Sequence, residues 1–96
     1  NTNWDRYATV EMNLAESTSI TQSGVYYVTG SIEDGMVTVD VGVNGEVKLI
    51  LDNVTIVNSV GPAILCASGD EFVIELVGEN TLKDGTDYGT FVDLQT

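Results

Sequence analysis

The chain has 96 residues, enough for one small domain with a thin core. Fifteen Asp and Glu stand against Arg6, Lys48 and Lys83, a formal net charge of −12. That balance excludes nucleic acid and an anionic membrane surface as partners, because both attractions rest on clustered Lys and Arg. No apolar run approaches the ~20 residues that span a bilayer, and none resembles the apolar core of a signal peptide. Without a single His there is neither Ser-His-Asp chemistry nor a Cys/His metal cluster. The lone Cys66, in the apolar run Ala63-Ile64-Leu65-Cys66-Ala67, reads as a small buried hydrophobe. The acidity itself has three readings: solubility, recruitment of cations, or an anionic glycan bridged by Ca²⁺.

In chain order, Trp4 and Tyr7 precede a first strand in which Val10, Met12 and Leu14 alternate with Glu11 and Asn13. Ser19-Ile20-Thr21 suggests a short second piece. From residue 24 onward the apolar runs become regular. GVYYVTGSI (24–32), VKLILDNVTI (47–56) and FVIELVGENTL (72–82) each read as a strand, a Gly or Asn, and a second short strand. A further strand follows each of them: MVTVDV (36–41), AILCA (63–67) and TFVDL (90–94). No window carries the i, i+3, i+4, i+7 spacing of an amphipathic helix, so the class is all-β.

The three units align. Gly30, Asn53 and Gly78 share one column, at spacings of 23 and 25 residues. Tyr26, Leu49 and Ile74 share the next, followed by Val28, Leu51 and Leu76, and then by Ile32, Ile56 and Leu82. Gly and Asn recur where a chain bends through φ > 0 without ending a strand. A hairpin sandwich gives no reason for such columns, whereas a repeat of roughly 22 to 25 residues with three short strands is the pattern of a stacked solenoid. The expectation is a right-handed parallel β-helix of about three coils. Residues 1–96 would form one domain, with 1–23 as N-terminal strand and cap, and 24–45, 46–70 and 71–96 as successive coils. The third coil, closing after Leu94, is expected to leave an open edge.

The runs GVYYVTGSIEDGMVTVDV, VKLILDNVTI, GPAI and ENTLKDGT, with Trp4-Asp5 near the start, resemble a carbohydrate-binding parallel β-helix family of secreted clostridial-type bacteria. The similarity spans nearly the whole chain, but its motifs are mostly structural. The resemblance implies an extracellular, non-catalytic, calcium-containing protein that binds acidic plant-wall polysaccharide such as polygalacturonate. Family members typically run on for several more coils.

Catalysis finds little support in the residues. No basic residue pairs with another across the expected coils, and among fifteen acids a pair at glycosidase separation arises by chance. The expectation is no enzyme. Calcium needs several oxygen ligands in flexible loops. Asp84-Gly85-Thr86-Asp87 supplies two carboxylates in one turn, and Glu33-Asp34 occupies the corresponding loop of the first unit. Asp34, Asp84 and Asp87 are therefore the candidate metal ligands, although Asp-Gly also serves turns that hold no metal.

Opposite the inward columns lie Val25, Lys48 and Val73, then Tyr27, Ile50 and Glu75. Tyr27, Lys48 and Glu75 are the candidate sugar contacts. The preferred reading, however, is that the N-terminal strand packs over this row. Asn53-Val54-Thr55 matches a glycosylation sequon at Asn53.

Two functions follow. The first is an extracellular, secreted or cell-surface, carbohydrate-binding module, calcium-assisted and directed at an acidic polysaccharide. The alternative is a structural subunit that joins copies of itself head to tail through open strand edges into a filament.

Overall fold

The computed structural model describes residues 2–85. Runs rich in Val, Ile, Tyr and Thr form nine strands there: β1 (Thr9–Leu14), β2 (Thr18–Ile20), β3 (Gly24–Ile32), β4 (Val37–Asp40), β5 (Glu46–Asp52), β6 (Thr55–Val57), β7 (Ile64–Ser68), β8 (Glu71–Val77) and β9 (Thr81–Lys83). A single 3₁₀ turn, Trp4–Arg6, precedes them, capped where the Asn3 side chain accepts from the Asp5 N–H. The aligned columns are real neighbours. Tyr26 pairs with Leu49 and Leu49 with Ile74; Val28 pairs with Leu51 and Leu51 with Leu76; Ile32 pairs with Ile56 and Ile56 with Leu82.

The all-β class holds, but the expectation of a right-handed parallel β-helix with three faces and a capping segment is corrected. Two of the expected faces are a single sheet. β3 runs unbroken through Gly30, pairing β5 with its first half and β6 with its second. The result is a six-stranded sheet in the order β8-β5-β3-β6-β9, with β1 attached to β3. It curls into a half-barrel of parallel strands, and β2-β4-β7 forms a separate three-stranded sheet. The physical reason lies at Gly30. At φ 91° it turns the strand sharply while the hydrogen-bonded ladder continues on either side. Within the N-terminal segment, β1 joins edgewise beside β3, while Thr2, Arg6 and Tyr7 reach Glu46 and Glu71 at the starts of β5 and β8. The strand expected at 90–94 lies outside the described residues.

Asn53 (φ 56°) and Gly78 (φ 73°) repeat the bend of Gly30. Asn53 stabilises its own corner: Nδ2 donates to Asp52 Oδ1 at 2.6 Å and Oδ1 accepts from the Glu79 N–H at 3.1 Å. A Cβ on Gly30 would sit 2.5 Å from the Leu14 carbonyl oxygen, so the bend also needs a residue without one.

Both sheets contribute to one core. Leu49, Leu51, Ile32 and Ile56 from the curled sheet pack in the same cluster as Val39 and Ile64 from the small one. Asn58 is the buried polar residue among those described, and it is satisfied: Nδ2 donates to the Pro62 carbonyl at 2.8 Å and Oδ1 accepts from the Val60 N–H. Burying these apolar side chains turns the opposite face of β1, β3, β5 and β8 outward, because successive side chains alternate across a strand.

Candidate functional site

The outward face places Glu11, Tyr27, Ile50 and Glu75 in one row across β1, β3, β5 and β8. Lys48 stands in the neighbouring row, between Val25 and Val73. The three sequence-predicted sugar contacts therefore share a face. β1 does not pack over them: Glu11 lies in register beside Tyr27 within the sheet, which corrects the expected cover.

Tyr27 is half-buried, and its hydroxyl donates to Asp52 Oδ2 at 2.6 Å. That carboxylate, together with partial loss of water, raises the phenol above its ordinary pKa. Tyr27 also helps line a shallow hollow of about 360 Å³ with Glu11, Met12, Asn13 and Thr29. Among these lining residues the Asn13 side-chain amide donates to Thr29 Oγ1 at 3.0 Å. On the other side of Ile50, Lys48 Nζ pairs with Glu75 Oε1 at 3.2 Å. The face thus offers one aromatic ring, one short apolar side chain and several fixed acceptors. It suits a ligand with both C–H faces and hydroxyl donors.

Sequence reasoning missed Asp52 and Glu11 as members of this face. Asp52 was read only as part of the corner, although it has the same parity along β5 as Lys48 and Ile50. It also missed Glu46, at the far end of the same parity. Glu46 accepts from Tyr7 Oη at 2.6 Å and is salt-bridged to Arg6. These hydrogen bonds and the guanidinium charge lower its pKa, the Tyr7 hydroxyl contributing most.

The loop acids are arranged differently. Loops do stack along one edge: the Gly35 N–H donates to the Val57 carbonyl, Asn58 to Lys83, and Gly85 to Gly61. Asp34 accepts from the Ser59 N–H at 2.9 Å and from its hydroxyl, bonds that lower the Asp34 pKa. Asp84 Oδ1 accepts from the Ala63 N–H at 2.7 Å. Each carboxylate ties its loop to a neighbouring one. Ca²⁺ takes six to eight oxygens, and among the described residues no three Asp, Glu, Cys or His side chains converge to supply them. The described residues alone do not fit a calcium ion, and Asp87 lies outside them. Asn53 is exposed, with its Nδ2, the atom a glycan would take, bonded to Asp52.

Residues 15–95 match the family model of carbohydrate-binding domain-containing proteins. The chain belongs to that family. A carbohydrate-binding domain-containing protein of Acetivibrio thermocellus is 37% identical over 71 residues, which cover 72% of this chain and 25% of the relative. The chain spans about a quarter of that relative's length. No solved structure matches the chain. Family membership agrees with the coarse part of the resemblance, a carbohydrate-binding chain of clostridial-type relatives.

Proposed function

We propose that the chain is a non-catalytic, extracellular carbohydrate-binding module whose sugar-contact surface is the outer face centred on Tyr27. The observation that carries this reading is the Tyr27 ring, fixed by Asp52 in the middle of a face lined with acceptors. A sugar ring stacks its C–H face on an aromatic side chain, and Glu11, Asp52 and Glu75 accept from its hydroxyls. For an acidic polysaccharide, a net charge of −12 works against approach. A Ca²⁺ shared between uronate groups and these carboxylates removes that repulsion, and this is the calcium assistance proposed here.

The test is affinity electrophoresis and calorimetry against a neutral β-glucan and polygalacturonate, each in Ca²⁺ and in EDTA. Tyr27→Ala is expected to weaken polysaccharide binding by about tenfold, the loss of one desolvated ring contact. A folded Tyr27→Ala protein that binds as well as the parent overturns the reading, as does a parent that retains neither polysaccharide. Loss of polygalacturonate binding in EDTA supports the calcium bridge; unchanged binding removes it. Light scattering of the same samples reads the end-to-end stacking alternative.

A further inference from the structure

The Tyr27 row does not exhaust the outer face. Along β5, Glu46, Lys48, Ile50 and Asp52 point the same way, as the alternating burial of the strand shows. Asp52 holds the Tyr27 hydroxyl at one end. Six residues away, about 20 Å at the rise of a strand, Glu46 holds Tyr7 and Arg6 at the other.

That far end carries an arrangement suited to a sugar. Trp4 and Tyr7 stand with ring centroids 6.2 Å apart, tilted by 39°. The Arg6 guanidinium lies 5.0 Å from the centre of the Tyr7 ring and donates through Nη2 to Tyr7 Oη and to Glu46. Thr2 adds its hydroxyl to Glu46 and Glu71, neighbours in register on β5 and β8. Glu46 therefore holds this cluster in place from three sides. Arg6 is nonetheless 60% exposed, and its Nε and Nη1 donate to no described residue. A guanidinium over one aromatic ring, with N–H groups that meet no described partner, takes a carboxylate from one side of a sugar stacked on the neighbouring ring. Within the pair the Arg6 side chain is 60% exposed and the Glu46 side chain 16%, so the group turned to solvent is the cation.

We propose that Trp4, Arg6 and Tyr7 form a second sugar subsite, for a residue bearing a carboxylate, aligned along β5 with the Tyr27 subsite so that one polysaccharide chain spans both. The side chains make the subsite; the backbone of the short turn does not. The inference rests on the carbohydrate-binding reading above and extends it from a ring to a track.

Trp4 is the sole tryptophan of the chain, so its emission reports on this subsite alone. Titration with oligogalacturonates of increasing length, in Ca²⁺, is expected to shift Trp4 fluorescence with the same midpoint as calorimetric binding. Arg6→Gln is expected to weaken oligogalacturonate binding about tenfold, as for a lost hydrogen bond to a charged group, and to leave neutral oligosaccharide binding within twofold. Calorimetric binding that saturates while Trp4 emission stays constant overturns the inference and leaves the Tyr27 reading intact. Equal losses for charged and neutral sugars in a folded Arg6→Gln protein overturn it as well. A parent protein that binds no oligosaccharide sinks both.

Discussion

On β5, Val47, Leu49 and Leu51 are at most 1% exposed, while Glu46, Lys48, Ile50 and Asp52 alternate with them on the half-buried opposite face. The inner set packs against both sheets. The outer set holds the ion pair with Glu75, the hydrogen bond to Tyr27 and the anchor for Arg6 and Tyr7. One strand supplies stability with one parity and chemistry with the other. The comparison teaches that on a thin fold the outer face can carry charged, adaptable groups because the inner face needs so few residues to close the core.

The sharpest break is a matched pair of truncations one residue apart. Leu49→Ala leaves a cavity between the sheets and is expected to cost about 2–5 kcal/mol, with a large fall in Tm. Ile50→Ala, on the outer face, is expected to cost no more than about 1 kcal/mol. Urea melts of both proteins check the contrast. Comparable losses at the two positions would show that the outer face is also core.

The next test moves to the corners, where the two halves of the curled sheet meet. Gly30→Ala carries a left-handed backbone penalty of roughly 1–2 kcal/mol, and its Cβ would also meet backbone atoms of Leu14 at 2.5 and 2.8 Å. A total of about 2 kcal/mol or more is expected. Asn53→Gly at the equivalent corner relieves the positive φ but gives up the bonds to Asp52 and Glu79. These terms oppose each other, and a net change within about 1 kcal/mol is expected. Thermal melts that rank Asn53→Gly as the worse variant would place the stability of the bend in side-chain bonding rather than in backbone freedom.

The same corners show why part of the fold was legible and part was not. Period-two alternation revealed which residues of β5 face inward, though Val25 on β3 is buried on the other parity and Leu76 on β8 is exposed. Positive-φ residues in columns revealed which strands lie side by side. Neither signal says how far a strand continues past a bend. A Gly at φ > 0 ends one strand and curves another, so Gly30 was read as a border between faces when β3 passes through it. Alternation also cannot distinguish a strand lying on a face from one lying beside it, which is how β1 was misjudged. In the site, Tyr27, Lys48 and Glu75 came from parity alone. Asp52 had the right parity but was absorbed by the turn. The bonds of Asp34 to Ser59 and of Asp84 to Ala63 reach into loops more than 20 residues away, and Arg6 finds Glu46 at a separation of 40. No local pattern encodes such pairs, so carboxylates that join loops looked like free metal ligands.

The smallest expected effect separates the faces by acid. The described inner face holds no carboxyl group, and burial raises its Tyr26 phenol and Cys66 thiol further from the acid range, so any acid dependence arises from outer and loop carboxylates. Asp34 is held below the usual carboxylate range by the Ser59 N–H and then its hydroxyl, and Glu46 by the Tyr7 hydroxyl and then Arg6. A carboxyl group whose folded pKa is lowered adds stability above its unfolded pKa and loses it as pH falls through the folded value. With unfolded carboxylates near pH 4, Tm is expected to be level from pH 7 to about 5 and to decline below about 4. Glu46→Gln is expected to flatten that acid limb without moving the neutral plateau far, and high salt to weaken the part that depends on Arg6, because exposed ion pairs are screened. A limb that keeps its full slope in Glu46→Gln would mean that Arg6 and Tyr7 are held by their ring contact rather than by the carboxylate. The Arg6 end of the face would then be set by packing, and the division between an apolar inner side and a charge-organised outer side would no longer hold there.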